Sequence, residues 1–403
     1  MSSTAADTRG PGSETRLVTP AFLALATATL AFFIAGGLVL PIAPQYVRFG
    51  LGADATGVGV AIGAFAVASL VLRPVVGWSA DRFGRRPLLL GGSLVTVGAL
   101  VLHLVATSLS LFIVARCLLG AGEAFFFVAA LAAASDIAPV SRRGEAITFL
   151  SLSLYLGIAI GPPIAELIFG SGSYQSVWVV AAGVASAALV LAWFVPESAP
   201  AVLGDVNSPR PRRRLVHPAG IFPGIVIFLG LWGMAGFLTY LPLYAPSIGA
   251  GGAGLPLAIY AFIVVGLRVV GARWPDRFGA ARLSGGALIV SAIGFAIMGL
   301  IQSPFGLFAG TIVFACGVAF TMPALLSLAV SRVVPEERGS VVGTATLFLD
   351  LAFGFAPVGI GLMADKVGYG PTFLVSAALA GLGSALLLGR RAALGRPALA
   401  PNA

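Results

Sequence analysis

Two carboxylates, Glu123 and Asp350, stand near the middle of long apolar runs, and Arg116 lies seven residues before the first of them. On a helix that spacing is two turns, so Arg116 and Glu123 project from one face about 10 Å apart. An ionisable side chain held in hydrocarbon costs at least ~2.5–3.5 kcal/mol on insertion scales and is a functional candidate by default. A carboxylate in a low-dielectric site favours its neutral form. It can therefore take a proton on one side of a membrane and release it on the other, with a substrate competing for the charged form. The structural alternative is that Glu123 pairs with an arginine such as Arg116 and only stabilises the packing. Glu166, at the end of another run, reads as wet and peripheral. Other chemistries lack their parts. Cys117 and Cys316 fall inside apolar runs without ligand spacing, and the only histidines are His103 and His217. Zinc chemistry and a Ser/His/Asp hydrolase are both excluded on that inventory, and no cofactor is expected.

The elements that must position these groups are membrane helices. Hydrophobic residues make up 58% of the chain and charged residues 10%, where a soluble domain carries about 25% charged residues; the mean hydropathy is +1.02. Twelve runs approach the ~20 apolar residues that a bilayer crossing needs: 19–45, 55–76, 87–107, 109–134, 145–169, 175–195, 219–245, 254–274, 284–302, 305–331, 341–364 and 370–389. The expected fold is an all-α polytopic membrane protein. Two six-helix halves, 19–195 and 219–389, are joined by a polar linker over 196–218 that carries Arg210, Arg212, Arg213 and Arg214. Short tails, 1–18 and 390–403, flank them, the first without a cleavable signal pattern.

The net charge of +9 is a topology signal. With the N-terminus inside, nineteen of the 24 basic residues fall in cytoplasmic segments, Arg48 and Lys366 fall outside, and Arg73, Arg116 and Arg268 lie within or at the ends of spans. This asymmetry places both termini in the cytoplasm and excludes a nucleic-acid footprint. One lysine against 23 arginines, with abundant Ala and Gly, points to a GC-rich bacterial source and hence to its cytoplasmic membrane.

The chain is also doubled. Asp81-Arg82-Phe83-Gly84 returns 195 residues later as Asp276-Arg277-Phe278-Gly279. At the same offset Arg73 pairs with Arg268, Gly122 with Gly317, Arg143-Gly144 with Arg338-Gly339, Pro162 with Pro357 and Tyr174 with Tyr369. Parallel repeats in a polytopic chain are the mark of a secondary transporter.

These residues resemble the major facilitator superfamily over nearly the whole chain. Gly77, Asp81, Arg82, Gly84, Arg85 and Arg86 are similar to its loop signature between spans 2 and 3. Arg116-x-x-x-Gly120-Ala-Gly122 resembles a second motif, and Pro41-Ile-Ala-Pro44 a fourth, common in twelve-span exporters. Gly157-x-x-x-Gly161-Pro162 in span 5 resembles the motif of proton-coupled drug antiporters, departing from it where Ala165 and Glu166 replace a further glycine. The resemblance implies a central cavity, with Glu123 and Asp350 at similar depth in opposite walls. Phe126, Tyr155, Trp232 and Tyr240 are candidates to line it.

In the signature, Gly77 and Gly84 suit a tight six-residue connection, and Asp81 can meet the positive end of a helix. Duplication points Asp81 at the start of span 11 near Arg338, and Asp276 at the start of span 5 near Arg143. Asp136 is a partner for Arg82, Arg85 or Arg86. Such latches would hold the cytoplasmic side shut and break as the halves rock, the second more weakly because Ala280 and Ala281 replace Arg85 and Arg86. Gly157, Gly161 and Pro162 read as a hinge or leak seal. The leading expectation is a monomeric, proton-driven exporter of small apolar or amphipathic compounds. The alternative is a proton-coupled importer of sugars or organic acids, which the scarcity of Asn, Gln and Lys in the spans disfavours. An intramembrane enzyme or a receptor lacks a reactive pair or a sensory domain.

Overall fold

The structure, a computed structural model, describes residues 17–139, 142–170, 172–198, 216–271, 274–331, 333–334 and 337–390; positions 74, 77, 78, 81, 144, 148, 275, 276 and 339 are described in their backbone only. Most of the expected linker and both tails thus lie outside the described residues.

Thirteen α-helices and no strand are found among them: α1 (Pro20–Gln45), α2 (Ala55–Phe83), α3 (Arg85–Val105), α4 (Leu109–Ile137), α5 (Arg143–Phe169), α6 (Tyr174–Trp193), α7 (Pro218–Ser247), α8 (Gly254–Val270), α9 (Trp274–Phe278), α10 (Ala280–Leu300), α11 (Pro304–Val330), α12 (Arg338–Val367) and α13 (Tyr369–Gly389). Eleven are long and apolar enough to cross a bilayer; α8, with 17 residues, is shorter, and α9 is a single turn. The starts of α3, α4, α5 and α6 recur at the same 195-residue offset as the starts of α10, α11, α12 and α13. Local chemistry repeats with them. Ser108 and Ser303 each cap the following helix through the hydroxyl, accepting from Leu111 and Gly306.

In hydrocarbon every polar group needs an internal partner. Thr29, Ser186, Thr239 and Ser376 accordingly donate their hydroxyls to the carbonyl four residues back in their own helices. Large apolar side chains such as Leu167 (80% exposed) and Phe305 (73%) stand on the outside, which suits lipid and not water. Small residues set the packing. A Cβ on Gly122 would strike the carbonyl of Gly92, and one on Gly317 the carbonyl of Ala287, so α3–α4 and α10–α11 pack alike.

The two halves meet along two seams, α2 against α12 and α5 against α8. On the first, Gly59 lies against Pro357, Gly63 against Gly354 and Gly361 against Ala55, with no room for a Cβ. Tyr240 of α7 locks the same end, its hydroxyl reaching the carbonyls of Ala55 (2.8 Å) and Pro357 (2.6 Å). Asp365 of α12 caps α2 across this seam, accepting from the backbone of Ala55 (2.8 Å) and Thr56 (2.9 Å). Glu166 of α5 does the corresponding work on the second seam, its carboxylate meeting the backbone of Ala253 and Gly254 at the start of α8. Glu166 is therefore an inter-half cap and not the wet peripheral group expected of it. A carboxylate on a helix N-terminus is favoured by the helix dipole.

Candidate functional site

Polar side chains inside so apolar a bundle form few groups, and the sharpest is on the first seam. Arg73 of α2 donates through Nη2 to Oδ1 of Asp350 on α12 at 2.8 Å, joining the halves by an ion pair. Arg73 lies ten residues before the end of its helix and Asp350 twelve after the start of its own, which sets both about 15–18 Å from the arginine-rich end of the bundle. Glu123 of α4 completes the group. It accepts from Ser69, one turn before Arg73, at 3.0 Å, and interacts electrostatically with both Arg73 and Asp350. The two carboxylates are not set apart in opposite walls as expected; Asp350 holds Arg73, and Glu123, bonded to Ser69, lies within electrostatic reach of both. Oδ2 of Asp350 is buried without a hydrogen-bond partner among the described residues. Arg73 itself was legible only as half of the Arg73/Arg268 echo.

Arg116 does not pair with Glu123. Its guanidinium lies over the Phe65 ring at 5.1 Å and its buried Nε lacks a partner among the described residues. It stabilises α2–α4 packing by cation–π contact.

The second seam places Arg268 of α8 where duplication requires, at the position matching Arg73. Its guanidinium stacks on Tyr155 of α5 at 4.3 Å, donates to the Tyr155 hydroxyl, and donates through Nε to the Ala319 carbonyl at 3.1 Å. Tyr155 is the repeat partner of Asp350, and Val318 and Val264 are those of Glu123 and Ser69. The same cradle thus has two carboxylates near its arginine in one seam and, among the described residues, a phenol and a carbonyl in the other.

The signature between α2 and α3 is not a six-residue connection. Helix α2 runs on to Phe83 and α3 begins at Arg85, leaving Gly84 alone at the turn with φ of 90°. Gly77 thus lies inside a helix. Gly84 needs its missing side chain, since the positive φ disfavours a Cβ and Glu197 fills the space. Arg85 pairs with Asp136 at 3.1 Å, donates to the Ala80 carbonyl, and offers its backbone N–H to Glu197 at 2.8 Å. Arg86 donates to the Trp193 carbonyl at 2.8 Å and stacks on its ring at 5.1 Å. These bonds tie the turn to α4 and α6 of its own half. The side chains of Asp81 and Asp276 lie outside the described residues.

The second copy is built differently. Helix α8 stops at Val270, α9 follows, and Gly279 alone keeps the positive φ, at 80°. A groove of about 540 Å³ here is lined by Leu267, Trp274, Arg277, Arg282 and Phe320.

The remaining candidates divide. Gly157 and Gly161 press on Phe33, Gly37 and Leu38 of α1, with Pro162 next along α5, so the span 5 motif binds α1 to α5 within one half. Phe126 does not line a cavity; it is buried and stacked on Phe32 at 4.0 Å. Tyr240 is likewise a structural lock. Tyr155 sits at Arg268, and Trp232, half-buried beside Gly359, keeps an indole N–H without a partner among the described residues.

Comparison with known proteins accounts for this architecture. The Major Facilitator Superfamily profile matches residues 25–357 and 247–400. The chain is 28% identical over 365 residues to the uncharacterized MFS-type transporter STM4428 of Salmonella typhimurium, covering 87% of this chain and 91% of that one. Among solved structures, a POT family transporter superposes with a TM-score of 0.79 at 13% identity, over 93% of this chain and 96% of that one. The inward-open xylose transporter XylE of E. coli gives 0.74 at 15% identity, over 91% and 96%. The doubled helical bundle, its paired seams and these matches have one meaning: the chain belongs to the Major Facilitator Superfamily and is a multi-pass membrane transporter, not an enzyme.

Proposed function

We propose that this transporter exports small amphipathic compounds against an inward flow of protons, with Arg73, Asp350 and Glu123 as the coupling group. The carrying observation is the ion pair between Arg73 and Asp350, which spans the seam between halves that must move apart and has a second carboxylate beside it. With both carboxylates charged the group is net negative, and it attracts a cationic centre on the cargo. A proton on Asp350 weakens its hold on Arg73, and Oδ2, which has no hydrogen-bond partner among the described residues, offers that proton a place. Cargo and proton then compete for one charge, which is sufficient for antiport. Few amide or hydroxyl groups are available for a sugar, so import of hydroxylated solutes is disfavoured.

The arginine-rich end of the bundle carries Arg82, Arg85, Arg86, Arg277 and Arg282, and the opposite end Arg48 and Lys366. The positive-inside rule makes the first end cytoplasmic in a bacterial inner membrane. Asp81 and Asp276 act there as latches of unequal strength toward the opposite half, and the knot around Arg85 holds the first one in place. The α5 motif keeps α1 and α5 moving as one body. Everted vesicles provide the test: acidify the interior, add dodecylamine as an amphipathic cation, and follow internal pH. Cargo-dependent proton release that disappears in Glu123→Gln and Asp350→Asn is expected. Unchanged release in both variants would remove the coupling group from the mechanism.

A further inference from the structure

The repeat assigns a second charged pole. Arg268 occupies the place of Arg73, but the positions that supply carboxylates to Arg73 are Tyr155 and Val318 on this side. Among the described residues Arg268 contacts only a phenol hydroxyl and ring and one backbone carbonyl, none of which neutralises it. A cation kept inside a membrane protein without a counter-charge is costly, and one half-exposed at a moving seam can recruit its counter-charge from a ligand. Arg116 also has no carboxylate partner among the described residues, but it is 8% exposed under Phe65 and inside a single half. No ligand reaches it there.

We infer that Arg268, positioned by Tyr155 and the Ala319 carbonyl, binds an anionic group of the cargo, so that the preferred cargo is amphoteric. Its cationic end sits at Asp350 and Glu123 and its carboxylate at Arg268. The guanidinium spends one N–H on Ala319 and another on Tyr155, which leaves a face of the fork for a carboxylate. The Tyr155 hydroxyl accepts from Arg268 and has its own proton to donate to the same anion. This reading rests on the proposed coupling group for the cationic end only.

The test uses the full-length protein in nanodiscs of phosphatidylcholine and three probes: dodecylamine, dodecanoate and an ω-aminocarboxylate, taken as the tighter of ω-aminooctanoate and ω-aminododecanoate. The wild type is expected to bind the ω-aminocarboxylate most tightly. Arg268→Gln should weaken it about ten- to hundredfold, the scale of a lost hydrogen bond to a charged group, and leave dodecylamine unchanged. Arg268→Lys should recover part of the loss, and it serves alone if the glutamine variant does not fold. Tyr155→Phe should lose a few-fold. Equal binding of the ω-aminocarboxylate by wild type and Arg268→Gln, or no preference for it over dodecylamine, overturns the inference. So does loss of that preference in phosphatidylglycerol discs, because a lipid headgroup would then hold Arg268. If Arg268→Gln fails to bind the anion while Asp350→Asn still releases protons, the coupling reading falls and this site stands; the reverse pattern spares the coupling group alone.

Discussion

The α2–α12 seam and the α5–α8 seam descend from one duplicated half and keep the same cradle, yet they give its arginine different partners. In the first, Arg73 pairs with Asp350 and has Glu123 within electrostatic reach. In the second, Arg268 meets Tyr155 and a carbonyl, with no carboxylate beside it among the described residues. The difference teaches that duplication preserved the positions that bring the halves together and freed the partner positions to specialise.

The comparison is broken most severely by removing a carboxylate from the first seam. Asp350→Ala should cost about 1–3 kcal/mol of stability, because it leaves the partly exposed Arg73 without its partner, measurable by unfolding in detergent. Asp350→Asn, which keeps shape and loses charge, should lower coupled transport on the order of a hundredfold, the scale of losing a positioned proton-transfer group. If Arg73→Asp combined with Asp350→Arg restores stability but not transport, the pair's polarity matters as well as its presence.

Tyr155→Asp sharpens the contrast by making the second seam resemble the first. Arg268 would then be neutralised within the protein, and binding of the ω-aminocarboxylate should fall about tenfold while dodecylamine is retained, near the strength of one charge-assisted hydrogen bond. Unchanged affinity would mean that Arg268 never needed an outside partner.

A smaller effect separates the two ends near α3 and α10. Asp81→Asn should reduce transport about three- to tenfold with normal membrane abundance, in line with loss of a carboxylate from a helix terminus; normal turnover from an inserted mutant would contradict the latch. Asp276→Asn should do less, since its copy lacks the knot that Arg85 and Arg86 tie around Gly84. Least disruptive to transport is Tyr240→Phe, which gives up hydrogen bonds to Ala55 and Pro357 and should cost about 0.5–1.5 kcal/mol of stability without altering proton coupling.

Much of this is legible in the sequence. Eleven of the twelve expected runs form helices of bilayer length, the run at 254–274 breaking into the shorter α8 and the single turn α9, and the offset of 195 residues located repeated caps and turns because similar local sequences make similar local bonds. Asp136 stood out beside a cluster of arginines, and Arg85 is indeed its partner. What could not be read was partner choice across distance. The seven-residue spacing favoured Arg116 for Glu123, but α2 brings Ser69 and Arg73 to it instead, and Phe65 covers Arg116. Phe126 looked like cavity lining because periodicity cannot say which side of a wholly apolar helix faces a neighbour. Glu166 and Asp365 cap helices of the opposite half, a pairing that only the meeting of seams creates. The echo of Arg73 in Arg268 was the signal that carried most, once their unequal partners were visible.

The central claim is that the first seam trades a proton for the cationic end of the cargo. Its most direct test is to add dodecylamine to purified protein in weakly buffered detergent and count protons released per molecule bound. Stoichiometric release by the wild type and by Arg268→Gln, with none from Asp350→Asn or Glu123→Gln, is the predicted result. Binding that releases the same number of protons from all four proteins would contradict it.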